Sequence, residues 1–241
     1  MSEQSNGTGG TTRRGRFITL EGGEGAGKST QVRLLVSQLK ERGIETVATR
    51  EPGGSPKAEA LRHVLLSGAA ARFGPRGEAI LFSAARIDHV DNTIEPALAR
   101  GAWVISDRFA DSTRAYQGAL GKLDSRFILE LERVAIANAR PDLTIFLDIP
   151  PEAGLLRVSK RRNGEPADRF EAEGMEFHVA LRKAFRDIAK AEPERCIVVN
   201  ALAPEDDVAA AIWREVETRL LEQGPKKARR ARRKQGTEER A

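Results

Sequence analysis

The chain lacks the features that would place it in a membrane or in an oxidising compartment. Its 241 residues include one cysteine, Cys196, so no disulfide can form within the chain. No apolar run reaches the ~20 residues that a membrane-spanning helix needs. The first fifteen residues also lack the apolar core of a secretory signal. With 40% apolar and 31% charged residues, we expect a globular cytoplasmic protein in which Cys196 is a small buried hydrophobe.

Excess positive charge is confined to the two ends of the chain. Of the net charge of +5, residues 225–241 carry +6, residues 1–16 carry +2, and the segment between them carries −3. We therefore expect a disordered tail over 1–15, one folded domain over 16–223, and a basic disordered tail over 224–241. The run from Lys226 to Lys234 could bind nucleic acid or an anionic surface. It has no aromatic residue to stack on bases, so a solvated tail is the simpler interpretation.

Strand-like and helix-like segments alternate along the predicted domain. Short apolar runs with the length of buried strands occur at 16–20, 45–49, 102–106, 143–147 and 196–199. Helical periodicity covers about 28–43, 57–67, 76–100, 111–118, 125–139, 152–160, 172–191 and 205–221. This alternation predicts an α/β fold with a parallel sheet and helices on both faces. Ligands of such sheets bind beyond the carboxyl ends of the strands, where the motifs below are expected to lie.

The turn after the first strand, residues 22–29, matches G-x-x-x-x-G-K-[ST] in full, between a strand and a helix. Glycines let successive backbone N–H groups point at phosphate oxygens, and the helix N-terminus adds its positive dipole end. Lys28 can reach the β- and γ-phosphates, and the Ser29 hydroxyl can bind Mg²⁺. The predicted nucleotide-binding residues are Gly22, Gly23, Glu24, Gly25, Ala26, Gly27, Lys28, Ser29 and Thr30.

The motifs of other P-loop classes are absent from the sequence. A GTPase would carry Asn-Lys-x-Asp and Asp-x-x-Gly, and neither occurs. A transporter-type ATPase would carry a Leu-Ser-Gly-Gly-Gln signature, whereas Leu66-Ser67-Gly68 continues with alanines. A single-domain P-loop protein without these motifs is most simply a kinase of small molecules, and ATP with Mg²⁺ is its expected phosphoryl donor.

Two acidic residues compete for the metal-binding position beside the P-loop. Asp107 follows the strand at 102–106 and is followed directly by Arg108, whose planar guanidinium suits a phosphate. Asp148 follows the strand at 143–147, but the next residues, Ile-Pro-Pro, offer no side-chain donors. We therefore favour Asp107, although the pair could also be a surface ion pair at a strand end.

Three further segments are candidates for contacts with the acceptor. Arg50 follows the second strand and could reach an acceptor phosphate. Phe82 and Arg86 are four residues apart, hence on one helical face, where the ring could stack on a base and the guanidinium could bond its edge. A phenylalanine on a helix is more often part of the core. The basic loop at about 157–170 could be a lid over the phosphates or a solvated loop.

Five motifs, taken in order, resemble the bacterial thymidylate kinase family: residues 17–30, 49–54, 81–86, 107–109 with 112–118, and 168–171. The resemblance implies a P-loop kinase fold of the nucleoside monophosphate kinase type, with a five-stranded parallel sheet and a homodimeric assembly. It also implies that the γ-phosphoryl group of ATP moves to dTMP with Mg²⁺. Membrane and nucleic-acid partners are not expected.

The resemblance also implies a role for individual residues. Phe82 is expected to stack on thymine, and Arg86 to bond the base edge. The remaining substrate contacts are expected from Glu24, Arg50, Arg108, Ser112, Tyr116 and Gln117, and the metal contacts from Ser29 and Asp107. The P-loop has no arginine, which looks like the family style in which the lid supplies one. The expected catalytic residues are Lys28, Asp107, Arg108, Arg161 and Arg162. Phe109 departs from the family's common Tyr or His, and the longer lid leaves open which arginine acts, Arg169 included.

Overall fold

The computed structural model describes residues 13–162 and 169–222, so most of both predicted tails and the middle of the predicted lid lie outside the described residues. Five strands form one parallel sheet in the order β2-β3-β1-β4-β5. They are β1 (Phe17–Gly22), β2 (Thr46–Arg50), β3 (Trp103–Asp107), β4 (Leu143–Asp148) and β5 (Cys196–Asn200). The predicted five-stranded parallel sheet is confirmed.

The helices of the described residues follow the predicted alternation. They are α1 (Lys28–Glu41), α2 (Pro56–Leu66), α3 (Gly74–His89), α4 (Glu95–Ala99), α5 (Ala110–Thr113), α6 (Ser125–Ile136), α7 (Pro151–Arg162), α8 (Met175–Ala191) and α9 (Glu205–Val216). The π-helical turns Val90–Ile94, Arg114–Leu120 and Glu217–Leu221 extend α3, α5 and α9. Helix α6 ends earlier than predicted, because Ala137 takes a positive φ of 46° that is not helical.

Alternate side chains of the strands pack on opposite faces of the sheet, as the period of two requires. Ile18 and Leu20 of β1 join a cluster built with α1 and α9. Phe17, one residue before Ile18, points to the other face of the sheet. There it packs edge-on against Phe109, with 4.8 Å between the ring centroids. The helices therefore cover both faces of the sheet.

The single cysteine lies in the core of the protein. Cys196 is buried in the third core cluster, and burial raises the pKa of its thiol to about 12, so it behaves as the predicted small hydrophobe. Across residues 13–162 and 169–222, none of the helices combines the length and the apolarity that a membrane span requires.

Candidate active site

A cleft of about 270 Å³ opens at the carboxyl edge of the sheet, between the P-loop, the end of β3 and α3. The predicted site residues that line it are Glu24, Gly25, Ala26, Gly27, Lys28, Ser29, Thr30, Arg50, Phe82, Arg86, Asp107, Arg108, Ser112, Tyr116, Gln117 and Arg161. Gly22 and Gly23 instead line a small cavity behind the loop. Because these residues come from six separate segments, the fold brings together what the sequence could only align in order.

The P-loop leaves β1 at Gly22 and enters α1 at Lys28, as predicted. Gly25 and Gly27 have positive φ values of 67° and 89°, which glycine adopts readily. A Cβ on Gly25 would overlap the carbonyl oxygen of Gly154, and a Cβ on Gly154 would overlap the carbonyl oxygen of Glu24. Helix α7 therefore lies in direct backbone contact with the loop.

The ammonium group of Lys28 lies inside the loop. Its Nζ donates to the carbonyl oxygens of Gly22 at 3.2 Å and Gly23 at 3.0 Å. Burial, followed by the positive charge of Arg108, lowers the pKa of Lys28. Ala26, by contrast, packs its methyl group into the core, so only its backbone is available to a phosphate.

The side chains of the two predicted metal-binding residues, Ser29 and Asp107, meet at the N-terminus of α1. The Ser29 hydroxyl donates to Asp107 Oδ2 at 2.6 Å. Within the described parts of the chain, no group of three or more His, Cys, Asp or Glu could hold a metal by itself. Mg²⁺ usually takes only one or two protein oxygens and completes its shell with water and phosphate oxygens. One hydroxyl and one carboxylate in contact fit that ion.

Asp148 has a different role from Asp107. Arg182 of α8 binds both of its carboxylate oxygens, at 2.7 and 2.8 Å. The hydrogen bond from Arg182 lowers the pKa of Asp148. The sequence offers no donor directly after Asp148, but the fold supplies Arg182 from α8, and Asp148 does not line the cleft among the described residues.

Arg108 and Glu24 form a mostly buried ion pair at the floor of the cleft. Arg108 Nη2 lies 2.6 Å from Glu24 Oε1, and Nη1 donates to Ser112 Oγ at 3.3 Å. The Tyr116 hydroxyl donates to the same Glu24 oxygen at 2.9 Å. Burial opposes the charge of Glu24, but Arg108 and Lys28 together lower its pKa to about 2. The floor of the cleft therefore holds fixed charges of both signs.

The backbone of Arg108 is held in a conformation that an L-residue rarely adopts, with φ at 70° and a cost of about 1–2 kcal/mol. Glu21 accepts from the Phe109 backbone N–H at 2.7 Å and from the Ser112 hydroxyl at 2.7 Å. Ser106 Oγ donates to the Arg108 carbonyl at 2.7 Å. These bonds on both sides of Arg108 fix the strained residue.

Glu21 was not among the predicted site residues. It is fully buried in β1, and burial, followed by the charge of Asp111, raises its pKa to about 7. An acidic residue inside an apolar strand is itself a signal, because a buried carboxylate needs donors. The position of Glu21 at the end of the apolar run 17–20 is the sequence feature that indicates this buried carboxylate.

Phe82 and Arg86, the two residues expected to contact a base, both lie on α3 and line the cleft. Arg86 is 2% exposed and bonds three acceptors: Glu51 Oε2 at 2.8 Å, the Phe109 carbonyl at 3.2 Å and Thr113 Oγ1 at 3.1 Å. Phe82 lies across the cleft from Phe170, with ring centroids 6.4 Å apart. Phe170 also packs edge-on against Tyr116 at 5.1 Å, so three aromatic rings are neighbours in the cleft that Arg86 also lines.

Arg50 and the lid arginines differ in their availability. The Arg50 guanidinium is 56% exposed and bonds both oxygens of Glu59 at 3.2 Å. Arg161 is 69% exposed, lies 3.7 Å from Glu171 and lines the cleft. Arg169 is engaged by Glu78 of α3. In the part of the chain that the structure describes, Arg162 lies off the cleft, and its Nε is buried without a hydrogen bond.

A family model described as thymidylate kinase matches residues 20–212 of the chain. A thymidylate kinase of Rhodopseudomonas palustris is 56% identical over 210 residues, which are 87% of this chain and 91% of that protein. One of Bradyrhizobium diazoefficiens is 53% identical over 208 residues, covering 86% and 91%. The crystal structure of thymidylate kinase from Ehrlichia chaffeensis superimposes with a TM-score of 0.68 at 32% identity, covering 84% of this chain and 99% of that one.

Proposed function

The chain belongs to the thymidylate kinase family, and from that premise we propose how its own residues convert dTMP and ATP to dTDP and ADP, on the route to dTTP. The observation that carries the proposal is that the P-loop, the Asp107–Arg108 pair and the Phe82–Arg86 pair open into one cleft. A donor phosphate chain and an acceptor nucleotide can therefore meet there.

The P-loop binds the phosphates of ATP. Backbone N–H groups around Gly25 and Gly27 cradle them, and Lys28 leaves its two carbonyl partners to contact the β- and γ-phosphates. Ser29 and Asp107 would hold Mg²⁺, and the ion would supply positive charge against the negative charge of the phosphates.

Arg108 and Arg50 bind the dTMP phosphate. A phosphate oxygen of dTMP is already ionised at pH 7, so the transfer needs no strong general base. That oxygen attacks the γ-phosphorus in line, its new P–O bond forms as the bond to the β-phosphate oxygen breaks, and ADP departs with that electron pair. Because both substrates are anionic, the residues act mainly by alignment and neutralisation.

The thymine base lies between Phe82 and the neighbouring aromatic rings, with Arg86 on its edge. Ser112, Tyr116 and Gln117 line the nucleoside part of the same cleft. Glu24, held ionised by Arg108, lies near the sugar or the metal and orients Tyr116. These placements follow the family resemblance and are compatible with the contacts described above.

The lid supplies the additional positive charge. Of the two lid arginines expected to be catalytic, Arg161 lines the cleft and is mostly exposed, whereas Arg162 does not line it. We therefore assign the transition-state contact to Arg161. Since residues 25 and 26 of the P-loop are Gly and Ala, the enzyme is of the lid-arginine type.

Helices α2, α3 and α6 carry the surface through which two copies of the chain associate. They pack side by side and expose large apolar side chains at Val64, Ile80, Ile87, Leu129 and Val134, and Phe73 is exposed in the turn just before α3. An exposed apolar face of adjacent helices is typical of an interface. The proposal is a homodimeric enzyme of the cytoplasm.

A coupled ADP-release assay tests the assignment of substrate. Mg²⁺-ATP is combined in turn with dTMP, dUMP, CMP, UMP, AMP and GMP, for the full chain and for a chain lacking residues 225–241. We expect turnover selective for dTMP and unchanged within about twofold by the truncation. Preference for another monophosphate would discard Phe82 and Arg86 as thymine-binding residues, and loss of turnover in the truncated chain would give the basic tail a role in catalysis.

A further inference from the structure

Arg86 is the end of a buried hydrogen-bonded chain that starts on β2. Thr49 Oγ1 lies 2.6 Å from His89 Nε2, and His89 Nδ1 lies 3.0 Å from Glu51 Oε1. The other Glu51 oxygen accepts from Arg86 Nε at 2.8 Å. Because a carboxylate only accepts, His89 Nδ1 must carry the proton that it shares with Glu51.

The part of this hydrogen-bonded chain from His89 to Arg86 is shielded from solvent, and Thr49 at its start is half-buried. The side chains of Arg86 and Glu51 are 3% and 5% exposed, and that of His89 is 0% exposed. Buried ionic groups are costly unless they are paired and hydrogen-bonded, so this chain is a fixed structure rather than a surface contact. Neither His89 nor Thr49 lines the cleft, within the residues that the structure describes.

The hydrogen bonds of Arg86 determine which nitrogen atom of its guanidinium is available to a ligand. Nε is taken by Glu51, and Nη2 is taken by the Phe109 carbonyl and Thr113. Among the described residues, Nη1 makes no hydrogen bond, and Arg86 lines the cleft. A guanidinium offers only donors. It can therefore donate to the carbonyl oxygen on the edge of thymine or uracil, but it offers no acceptor to the amino group of cytosine.

We propose that Glu51 and His89 are positioning residues that hold the Arg86 guanidinium so that the enzyme discriminates thymine from cytosine. This inference rests on the proposed role of Arg86 as a base-edge contact. It gives Glu51 a role in base selection, whereas the preceding residue, Arg50, is assigned to the dTMP phosphate. It also assigns a selective role to His89, which contacts the substrate only through two intervening residues.

The test compares two substitutions of nearly equal shape at one position. His89→Asn keeps an N–H donor near the place of Nδ1, whereas His89→Leu removes it, and both lose the contact with Thr49. We expect His89→Leu to lower the dTMP-to-dCMP ratio of kcat/KM at least about tenfold, in the range of one well-made base contact. We expect His89→Asn to stay within about threefold of the wild type.

Three further readouts separate positioning from general damage. The dTMP-to-dUMP ratio should stay within about twofold in both variants, because uracil and thymine share the carbonyl that Arg86 contacts. The KM for ATP should not change. Thr93→Val removes a similar hydrogen bond, to Gly54 at 2.8 Å, from the helical turn that follows α3, and should leave both ratios unchanged.

Arg86→Ala distinguishes the two ways of failing. If Arg86→Ala lowers the dTMP-to-dCMP ratio but His89→Leu matches His89→Asn, the positioning role is wrong and the proposed function stands. If Arg86→Ala itself leaves the ratio unchanged, the base-edge assignment fails and the inference fails with it. Should His89→Leu not fold, His89→Phe replaces it, because a phenyl ring has nearly the shape of the imidazole and lacks the N–H that Glu51 accepts. An unchanged dTMP-to-dCMP ratio in His89→Phe would again overturn the proposal.

Discussion

Lys28 is the residue at which binding and catalysis should separate most clearly. Its buried ammonium lies among the P-loop carbonyl groups, on the donor side of the cleft, and its charge matters most where negative charge develops. We expect Lys28→Ala to lower kcat by about 100-fold or more, with a much smaller change in the Kd for dTMP. Single-turnover kinetics and equilibrium dTMP binding measure the two quantities. Equal losses in both would place Lys28 in acceptor binding.

Glu21 should make stability depend on pH. Its pKa is raised from 4.5 to about 7, so between these values the folded protein binds more protons than the unfolded chain, and the free energy of unfolding falls as pH rises. Glu21→Gln removes this cost. We expect the variant to gain roughly 1–3 kcal/mol over the wild type between pH 4 and pH 8, measured by urea unfolding.

The control for Glu21 is a carboxylate at the surface of the protein. Glu45 is 61% exposed, and Glu45→Gln makes the same change of charge at the surface. Its pH dependence should follow that of the wild type. If Glu21→Gln also follows the wild type, the burial of Glu21 does not control its ionisation.

At the scale of elements, we expect the contact between α7 and the P-loop to couple the proposed lid to the proposed ATP site. Gly154 allows the helix to lie on the Glu24 carbonyl, and the same helix carries Arg161 at its end. Gly154→Ala inserts a methyl group into this contact, an overpacking that costs about 1–3 kcal/mol. We expect kcat to fall at least about tenfold and the KM for ATP to rise more than that for dTMP.

Leu156→Ala supplies the comparison on the same helix. Leu156 is 57% exposed, so its truncation should leave kcat within about twofold. Both variants should be assayed well below their unfolding temperatures. Wild-type kinetics in Gly154→Ala would show that the spacing between α7 and the loop does not position the lid.

Most elements were predictable from sequence because periodicity reports local burial. The bounds of the strands and of the P-loop agree with prediction to within a residue or two. Both depend on local sequence: the strands on short apolar runs, and the loop on the glycines at 25 and 27. The helix predicted at 111–118 is instead a short α-helix followed by a π-helical turn. Local pattern cannot distinguish these forms, because their difference lies in which carbonyl each N–H reaches.

At the scale of the whole molecule, the apolar face of α2, α3 and α6 predicts association. Ile80 of α3 and Val198 of β5 are each 48% exposed, so Ile80→Glu and Val198→Glu make matched changes at two surfaces. We expect Ile80→Glu to shift the protein to monomer, because a charge buried without a partner opposes association, and Val198→Glu to stay dimeric. Light scattering after size-exclusion chromatography measures both. A dimeric Ile80→Glu protein would place the interface elsewhere.

The sequence by itself determined the fold class, the phosphate-binding loop and the order of the site motifs, because each depends on residues close together in the chain. The tertiary structure decided the partners. Arg86 is held by Glu51, 35 residues away, and Asp148 is neutralised by Arg182, 34 residues away. Such pairs form only when separate helices and strands pack together. A charge removed from water needs a partner, and the packing determines which residue lies close enough to be that partner. The contacts of Arg161 with Glu171 and of Arg169 with Glu78 have the same origin.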